Sequence, residues 1–251
     1  MARIEYRDGH YDGEVLFGKP HGKGMFVGNN GVTYTGQFKL GEMHGRGECH
    51  YLDGSRYDGE FADGKRNGFG VYYYTNGDIY KGEWKRNIKS GKGTMFLSNG
   101  EKYEGDFYRG YPCGYGVYYY ANGDRYEGEW KDDLKHGYGI YYYASGEKYE
   151  GNWQNDKKNG RGVHYYSSGN KYDGEWLNDK RHGYGIGYMA SGDRYEGEWV
   201  NHKRQGYGVY YFASGNRYEG YFKDNVKHGR GVFYYADGTI EKGEWYKNEK
   251  K

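Results

Sequence analysis

Apolar and polar side chains alternate along short segments of this chain, and turn residues bound each segment. Every second residue of 126–130 is aromatic or glycine, and residues 137–143 form a second run rich in β-forming side chains. Alternation with a period of two is typical of a half-buried strand. The polar segment 131–136 separates the two runs and predicts a loop. No segment has the period of an amphipathic helix, so the pattern predicts an all-β protein built of hairpins.

The same hairpin recurs along the sequence at the interval from Tyr11 to Tyr34, which is 23 residues. Each full copy contains a Tyr-x-Gly signature, which begins at Tyr11, Tyr34, Tyr57, Tyr80, Tyr103, Tyr126, Tyr149, Tyr172, Tyr195 and Tyr218. Two further glycine sets keep this register, a Gly-x-Gly pair such as Gly137/Gly139 and a turn glycine such as Gly146. Full copies run from 11 to 240, with partial copies at 1–10 and 241–251. The sequence therefore predicts one continuous repeat array over residues 1–251.

The turn between successive hairpins determines which side chains share a face. A type I′ turn needs positive φ at both central residues, which suits Asn122 but not Ser145. A three-residue loop in which only the glycine is left-handed fits both sequences. In that register Gly114 lies opposite Trp130, so a glycine on one strand leaves room for the aromatic ring of its neighbour.

The spacing between strands gives the expected dimensions of the repeat array. Antiparallel strands lie ~4.8 Å apart, so a hairpin advances ~9.6 Å and ten hairpins extend ~100 Å. We expect an elongated, single-layer antiparallel β-meander in which each hairpin contacts only its neighbours. Cys49 and Cys113 lie three hairpins apart, ~29 Å by this spacing, which is far beyond the ~7 Å limit for a disulfide. Both cysteines are predicted to be free thiols.

Composition narrows the classes of partner. The 251 residues include 36 Tyr, 48 Gly and two Pro, and 37 Lys plus Arg nearly balance 35 Asp plus Glu. A balanced chain has no overall field that attracts nucleic acid, so we expect no nucleic-acid partner. No secretory signal and no run near the ~20 apolar residues of a membrane helix are visible. We expect a cytoplasmic protein.

Residues able to do chemistry recur with the repeat instead of forming one distinct site. Five histidines share a register, namely His21, His44, His136, His182 and His228. Zinc ligands lie within ~2.1 Å of one ion, whereas equivalent positions are ~9.6 Å apart, so we expect no metal. Glu127 and Glu129 recur in most copies and form no unique acid and base pair. We expect no enzyme and no cofactor.

The unit Tyr-Glu-Gly-Glu-Trp, polar segment, His-Gly-Tyr-Gly, aromatic strand and Asn-Gly-Asp resembles the MORN repeat, the membrane occupation and recognition nexus. The resemblance covers nearly the whole chain. It implies tandem MORN β-hairpins in an elongated, often dimeric particle at cytoskeletal structures such as ciliary radial spokes, or at membrane contacts. We therefore expect a non-catalytic scaffold of the cytoskeleton, such as a cilium or flagellum axoneme, with protein partners and a homodimer formed at an edge strand.

Aromatic rows give the first predicted binding surface. A one-layer sheet has nothing behind it, so part of this apolar surface should stay open to protein partners. The predicted partner-binding groove comprises Trp84, Phe107, Trp130, Trp153, Trp176 and Trp199, with Tyr126, Tyr149, Tyr172 and Tyr195 beside them.

Basic residues near the polar segments give the alternative surface. They are Lys85, Arg86, Lys157, Lys158, Lys180, Arg181, Lys203 and Arg204. A ladder of this kind along one edge favours a peripheral membrane adaptor that binds phosphoinositides. Acidic residues share that edge and each basic residue contributes only ~1 kcal/mol, so we expect weak phospholipid binding at most.

Overall fold

A computed structural model describes residues 2–251 as an all-β protein, and no helix occurs within that range. The chain divides into two units, Met1–Ala121 and Asn122–Lys251. Within each unit, successive strands pair antiparallel with the strands next to them in sequence. The antiparallel β-meander predicted from the alternation is therefore confirmed.

The first unit contains eleven strands of the described chain. They are β1 Ala2–Tyr6, β2 Gly9–Leu16, β3 Lys19–Gly28, β4 Thr33–Lys39, β5 Glu42–His50, β6 Arg56–Ala62, β7 Lys65–Tyr73, β8 Ile79–Lys85, β9 Ile88–Phe96, β10 Lys102–Tyr108 and β11 Tyr111–Tyr119. The second unit contains β12 Arg125–Lys131, β13 Leu134–Tyr142, β14 Lys148–Gln154, β15 Lys157–Tyr165, β16 Lys171–Leu177, β17 Lys180–Tyr188, β18 Arg194–Val200, β19 Lys203–Tyr211, β20 Arg217–Lys223, β21 Val226–Tyr234, β22 Ile240–Tyr246 and β23 Glu249–Lys250.

The turn inside each hairpin is shorter than the sequence suggested. Asp132 and Asp133 alone join β12 to β13, with φ of 49° and 70°. Positive φ at both central residues is the requirement of a type I′ turn, whose twist matches that of the flanking strands. Residues 134–136 belong to β13, and Lys135 pairs with Trp130. The prediction of a six-residue polar loop was wrong, because most of that polar segment lies on strands.

The turn between hairpins has the predicted form. The Tyr143 N–H donates to the Glu147 carbonyl at 3.0 Å, and the Gly146 N–H donates to the Tyr143 carbonyl at 2.9 Å. Gly146 has a φ of 86°, and Ser145 is not left-handed. In the resulting register Gly137 lies opposite Trp153, the equivalent of the predicted Gly114–Trp130 pair. The predicted register is confirmed at this turn.

The two glycines of the Gly-x-Gly pair have different roles. Gly137 has a φ of 58° and lies at a bulge, where the register shifts between Gly128 and Trp130. The Glu129 carboxylate accepts the Tyr138 N–H at 3.0 Å and satisfies the backbone at this bulge. Gly139 lies in regular pairing, where the Tyr126 ring occupies the space a side chain would need.

Acidic and amide side chains at many of the turns connect one hairpin to the previous one. The Asp156 carboxylate accepts the Lys135 N–H at 3.0 Å, and Asp179 accepts the Lys158 N–H at 2.9 Å. At the opposite sheet edge, Asp124 accepts the Ala144 N–H at 2.8 Å. Turns at both edges are therefore stacked on one another by side-chain hydrogen bonds.

Candidate functional site

Alternation divides every hairpin into two faces. We call the face that carries the Tyr126, Trp130 and Tyr141 positions the aromatic face, and the face that carries the Tyr138 and Ile140 positions the opposite face. Equivalent residues lie on the same face in each hairpin because the repeat keeps its register. The predicted groove residues therefore all lie on aromatic faces.

Tyrosine rings form the floor of the aromatic face. Tyr149 is fully buried, and its hydroxyl donates to the Asn152 carbonyl at 3.0 Å. Its ring makes edge contacts with Trp153 at 5.1 Å and with Trp176 at 5.3 Å between centroids. Burial raises the pKa of Tyr149 above its ordinary value, so the phenol stays a hydrogen-bond donor. Each tyrosine thus joins two successive hairpins by ring packing.

Tryptophan rings complete this lattice and are also buried. The Trp153 Nε1–H donates to the Gly139 carbonyl at 3.2 Å, and the Trp199 Nε1–H donates to the Gly185 carbonyl at 3.0 Å. Trp153 is only 5% exposed. All ten predicted groove residues are buried, namely Trp84, Phe107, Trp130, Trp153, Trp176, Trp199, Tyr126, Tyr149, Tyr172 and Tyr195. The structure brings these rings together as a packed layer whose edges contribute little to the surface.

Some of the basic residues cover the ring layer. The Arg181 guanidinium carbon lies 4.5 Å from the centroid of Trp199, and the Lys158 Nζ lies 4.9 Å from that of Trp176. Arg204 lies over Phe222 in the same way, at 5.7 Å. These are cation–π contacts, and they hold the three cations on the aromatic face.

The other basic residues do not lie over the rings. The predicted basic residues therefore do not form one continuous edge. Lys157, Lys180 and Lys203 are exposed, and the Lys203 Nζ forms an ion pair with Asp224 at 2.8 Å. Lys85 ends β8, and Arg86 is the first turn residue with a φ of 47°. Because the turn is only two residues long, the neighbouring basic residues lie on strands and point to opposite faces. The prediction of a longer loop did not show this alternation.

One hairpin contains a polar cluster that the repeat does not predict. The Lys158 Nζ donates to His164 Nδ1 at 3.0 Å, and the His164 Nε2–H donates to Glu147 at 3.2 Å. Burial lowers the pKa of His164 to about 4, and the Lys158 charge adds to that shift. Burial also lowers the pKa of Lys158 to about 8. The histidine is therefore neutral at pH 7 and accepts from a lysine in a ring-lined site.

The opposite face contains exposed rings that sequence reasoning missed. Tyr138, Tyr184 and Tyr207 are each about half exposed and stand between the two glycines of Gly-x-Gly. A groove of about 510 Å³ runs between Tyr138 and Tyr184, with Arg161 and Ile186 along it. The sequence contained the information needed to find these rings. Because side chains alternate between the two faces of a sheet, the residue between the two glycines points away from the face of the buried Tyr and Trp.

Residues 2–251 contain neither a cluster of metal ligands nor a disulfide bond. No group of three His, Cys, Asp or Glu side chains in that range is arranged to hold a metal ion. Neither Cys49 nor Cys113 forms a disulfide, as predicted. None of the described residues forms a helix that is long and apolar enough to cross a membrane.

The repeat identifies the family. The MORN repeat model matches ten consecutive segments, each 23 residues long, from 11–33 to 218–240. The chain is a MORN-repeat protein. The MORN repeat is a module of protein-binding or membrane-associated repeat proteins and not a catalytic family. Family membership therefore confirms the resemblance and gives the general class of the molecule.

Other comparisons are distant from this MORN array. No curated protein matches the sequence significantly. Among solved structures, the TCP10 domain of Danio rerio CPAP in complex with a STIL peptide is 11% identical, with a TM-score of 0.45, over 94% of this chain and 99% of that one. The TCP domain of Drosophila melanogaster SAS-4 with a proline-rich motif of Ana2 is 13% identical, with a TM-score of 0.40, over 62% and 85%. The family assignment therefore depends on the MORN repeat alone.

Proposed function

We propose that this protein is a non-catalytic assembly scaffold of the cytoskeleton, in a cilium or flagellum axoneme, that binds segments of partner proteins on its aromatic face. The supporting observation is that the buried ring layer is repeated in hairpin after hairpin. Tyr149, Tyr172 and Tyr195 each make equivalent contacts with two tryptophans or with a tryptophan and a phenylalanine. A rigid repeated floor lets one extended segment contact several hairpins at once.

The exposed part of this face differs from the predicted groove. Because the tryptophans and inner tyrosines are buried, a partner contacts the half-buried residues above them, such as Tyr143, Tyr166 and Phe212. Aromatic residues of this kind concentrate interface energy, and truncation of a hot spot commonly costs at least about 2 kcal/mol of binding. The buried rings act by holding these residues in place.

The test is capture of partners by the full chain from a ciliated-cell extract, followed by mass spectrometry. The variant Tyr166→Glu with Phe212→Glu should lose a reproducible set of cytoskeletal proteins. The matched control, Tyr184→Glu with Tyr207→Glu, alters the opposite face and should retain that set. If only the control pair abolishes capture, the binding surface is the opposite face. If neither pair has any effect, a binding role for both faces is contradicted.

A phosphoinositide adaptor is the second candidate, favoured by the exposed side chains of Lys157 and Lys180. Arg181 and Arg204 lie over rings instead, so the remaining ladder is sparse. We expect weak sedimentation with phosphoinositide liposomes that disappears at moderate salt. Salt-resistant sedimentation would make the adaptor the leading function. A homodimer through an edge strand also stays a prediction, which light scattering tests.

A further inference from the structure

The second unit has a cavity of about 310 Å³ on its aromatic face, near β20 and β21. Tyr210, Phe212 and Phe222 supply its aromatic walls, and Arg204 and Lys227 supply two cations. The cavity is open to solvent on one side, so a ligand can enter without any movement of the sheet.

One wall of this space is a residue that varies among the copies. The equivalent positions of the three preceding hairpins hold Trp153, Trp176 and Trp199, whose indole N–H groups bond to glycine carbonyls of the neighbouring strand. Phe222 is the residue at that position here, and it is smaller and has no N–H group. The Phe222 ring therefore occupies less volume than an indole would at this wall, beside Arg204 and Lys227.

The turn residue beside each of these two cations is an amide, whereas the copies of Lys135 and Lys158 have a carboxylate at that position. Lys135 lies 3.8 Å from the Asp156 carboxylate, and the Asp179 charge acts on Lys158. At the same turn positions Arg204 and Lys227 have Asn225 and Asn248, whose side chains accept their backbone N–H groups at 2.8 Å. The lining of this cavity therefore contains two cations and no carboxylate.

The charges of Asp193 and Glu241 act on Arg204 and Lys227 respectively, and both carboxylates have other partners. Asp193 accepts the Tyr210 hydroxyl and the Ala213 N–H, each at 2.8 Å. Glu241 accepts the Tyr235 hydroxyl at 2.8 Å and the Lys250 Nζ at 3.1 Å. Neither carboxylate lines the cavity, so both influence Arg204 and Lys227 only from a distance.

We propose that this cavity binds a carboxylate carried beside an aromatic or aliphatic group, as presented by an acidic segment of a partner protein. The inference rests on the proposed scaffold function and names the chemistry of the partner. The ring walls accept the apolar part, and Arg204 and Lys227 bind the charge. A phosphate dianion fits less well, because its oxygens need more donors than an apolar wall with two cations supplies.

The probe is N-acetylphenylalanine, which has a free carboxylate, compared with N-acetylphenylalaninamide, which has none. Nitrogen-15 NMR of the full chain follows the backbone amide groups of residues 225 and 248, which lie in the lining and are present in the wild type and in every variant. The carboxylate should shift these signals saturably, with a dissociation constant on the order of 1 mM for so small a ligand. The neutral amide should bind at least about tenfold more weakly, which corresponds to about 1.4 kcal/mol.

Two variants that use residues already present in this repeat test the cavity and its charge. Phe222→Trp fills the space with the ring of the preceding hairpins, and Asn225→Asp with Asn248→Asp restores the carboxylates found at Asp156 and Asp179. Each should weaken probe binding at least about tenfold. Asn87→Asp, at the same turn position of the first unit, is the matched control and should bind like the wild type.

Three outcomes would overturn the inference. They are equal binding of the carboxylate and the amide, full binding by both cavity variants, or tighter binding of inositol trisphosphate at these same amides, which would identify a lipid headgroup site. Partner capture is a separate measurement. If Phe222→Trp captures partners normally while losing the probe, only this inference fails, whereas the proposed function fails if the wild type captures no partner.

Discussion

At the scale of single residues, the cluster around His164 is the clearest departure from the repeat. His164 is 6% exposed and stacks on Tyr166 at 4.2 Å between ring centroids. The equivalent residue of the preceding hairpin is Tyr141, whose ring has no basic nitrogen that acid could protonate. A titratable ring in a site built for tyrosine makes this part of the sheet sensitive to acid.

The pH prediction follows from the lowered pKa of His164. Its pKa is about 4 in the folded protein and ordinarily 6.5, so the unfolded chain binds more protons between these pH values. Stability should therefore fall as the pH falls from 6.5 towards 4, by up to roughly 3 kcal/mol from this residue. Denaturation midpoints across that range for the wild type and His164→Tyr measure the effect. A slope equally steep in the tyrosine variant would contradict it.

Sequence reasoning predicted the face of each aromatic residue but not its exposure. Parity alone put Trp153 and Tyr149 on one side of the sheet, and the structure agrees. Their burial depends on residues from adjacent hairpins, such as Lys135, whose Nζ lies 5.3 Å from the Trp153 ring. The assumption that a single layer leaves this side open ignored the covering side chains of the layer itself.

At the scale of the hairpin, the second residue of a type I′ turn can have two tasks where it is Asp or Asn. Asp179 adopts a φ of 68° and also accepts the Lys158 N–H at 2.9 Å. Aspartate tolerates the left-handed region better than most residues, and its side chain reaches the previous turn. Gly41 and Gly64 hold the same turn position in the first unit and meet the backbone requirement without the side chain.

Substitution at Asp179 should separate these tasks. Asp179→Gly keeps the turn conformation and loses one hydrogen bond, so we expect a cost of about 1 kcal/mol. Asp179→Ala loses the same bond and adds left-handed strain, for a total of roughly 2 kcal/mol or more. Hydrogen exchange of the β16 and β17 amides reports the local cost. Equal protection in the two variants would show that the backbone conformation contributes nothing.

The hairpin also shows where turn prediction from sequence succeeds and fails. The turn at Gly146 was predicted because Ser145 excludes a type I′ geometry there. The turn at Asp132 and Asp133 was missed because an Asp-Asp pair lacks the usual glycine and lies within a longer polar segment. The missing signal is the glycine of Leu40-Gly41, the equivalent pair in an earlier copy, because a glycine at that position is typical of a two-residue turn.

At the scale of the whole chain, the period was sufficient to predict the repeat family and the strand order. The copies differ at a few positions, and these differences give the candidate sites. Phe222 and Asn225 are ordinary residues in isolation, and only their placement beside Lys227 makes a cavity with unbalanced charge. Sequence predicts the average copy well because every copy repeats it, whereas a cavity depends on contacts between copies.

The last prediction concerns how far damage spreads within Asn122–Lys251. Each strand packs chiefly against the strands adjacent to it, so stability should be nearly a sum of neighbouring terms. Tyr218 is fully buried and contacts Phe222 and Trp245 at 5.3 and 5.2 Å between centroids. Tyr218→Ala should cost about 3–5 kcal/mol locally. Hydrogen exchange should show lost protection in β20, β21 and β22, with β12 to β14 unchanged.

Tyr221→Ala is the matched control, because Tyr221 lies on the same strand and is 51% exposed. Its truncation should change protection little, since surface substitutions usually alter stability by less than about 0.5 kcal/mol. A uniform loss of protection from β12 to β22 in Tyr218→Ala would mean that the unit unfolds as one cooperative body. The energy of each ring contact would then be shared across the unit, and damage to one hairpin would impair binding at all the others in it.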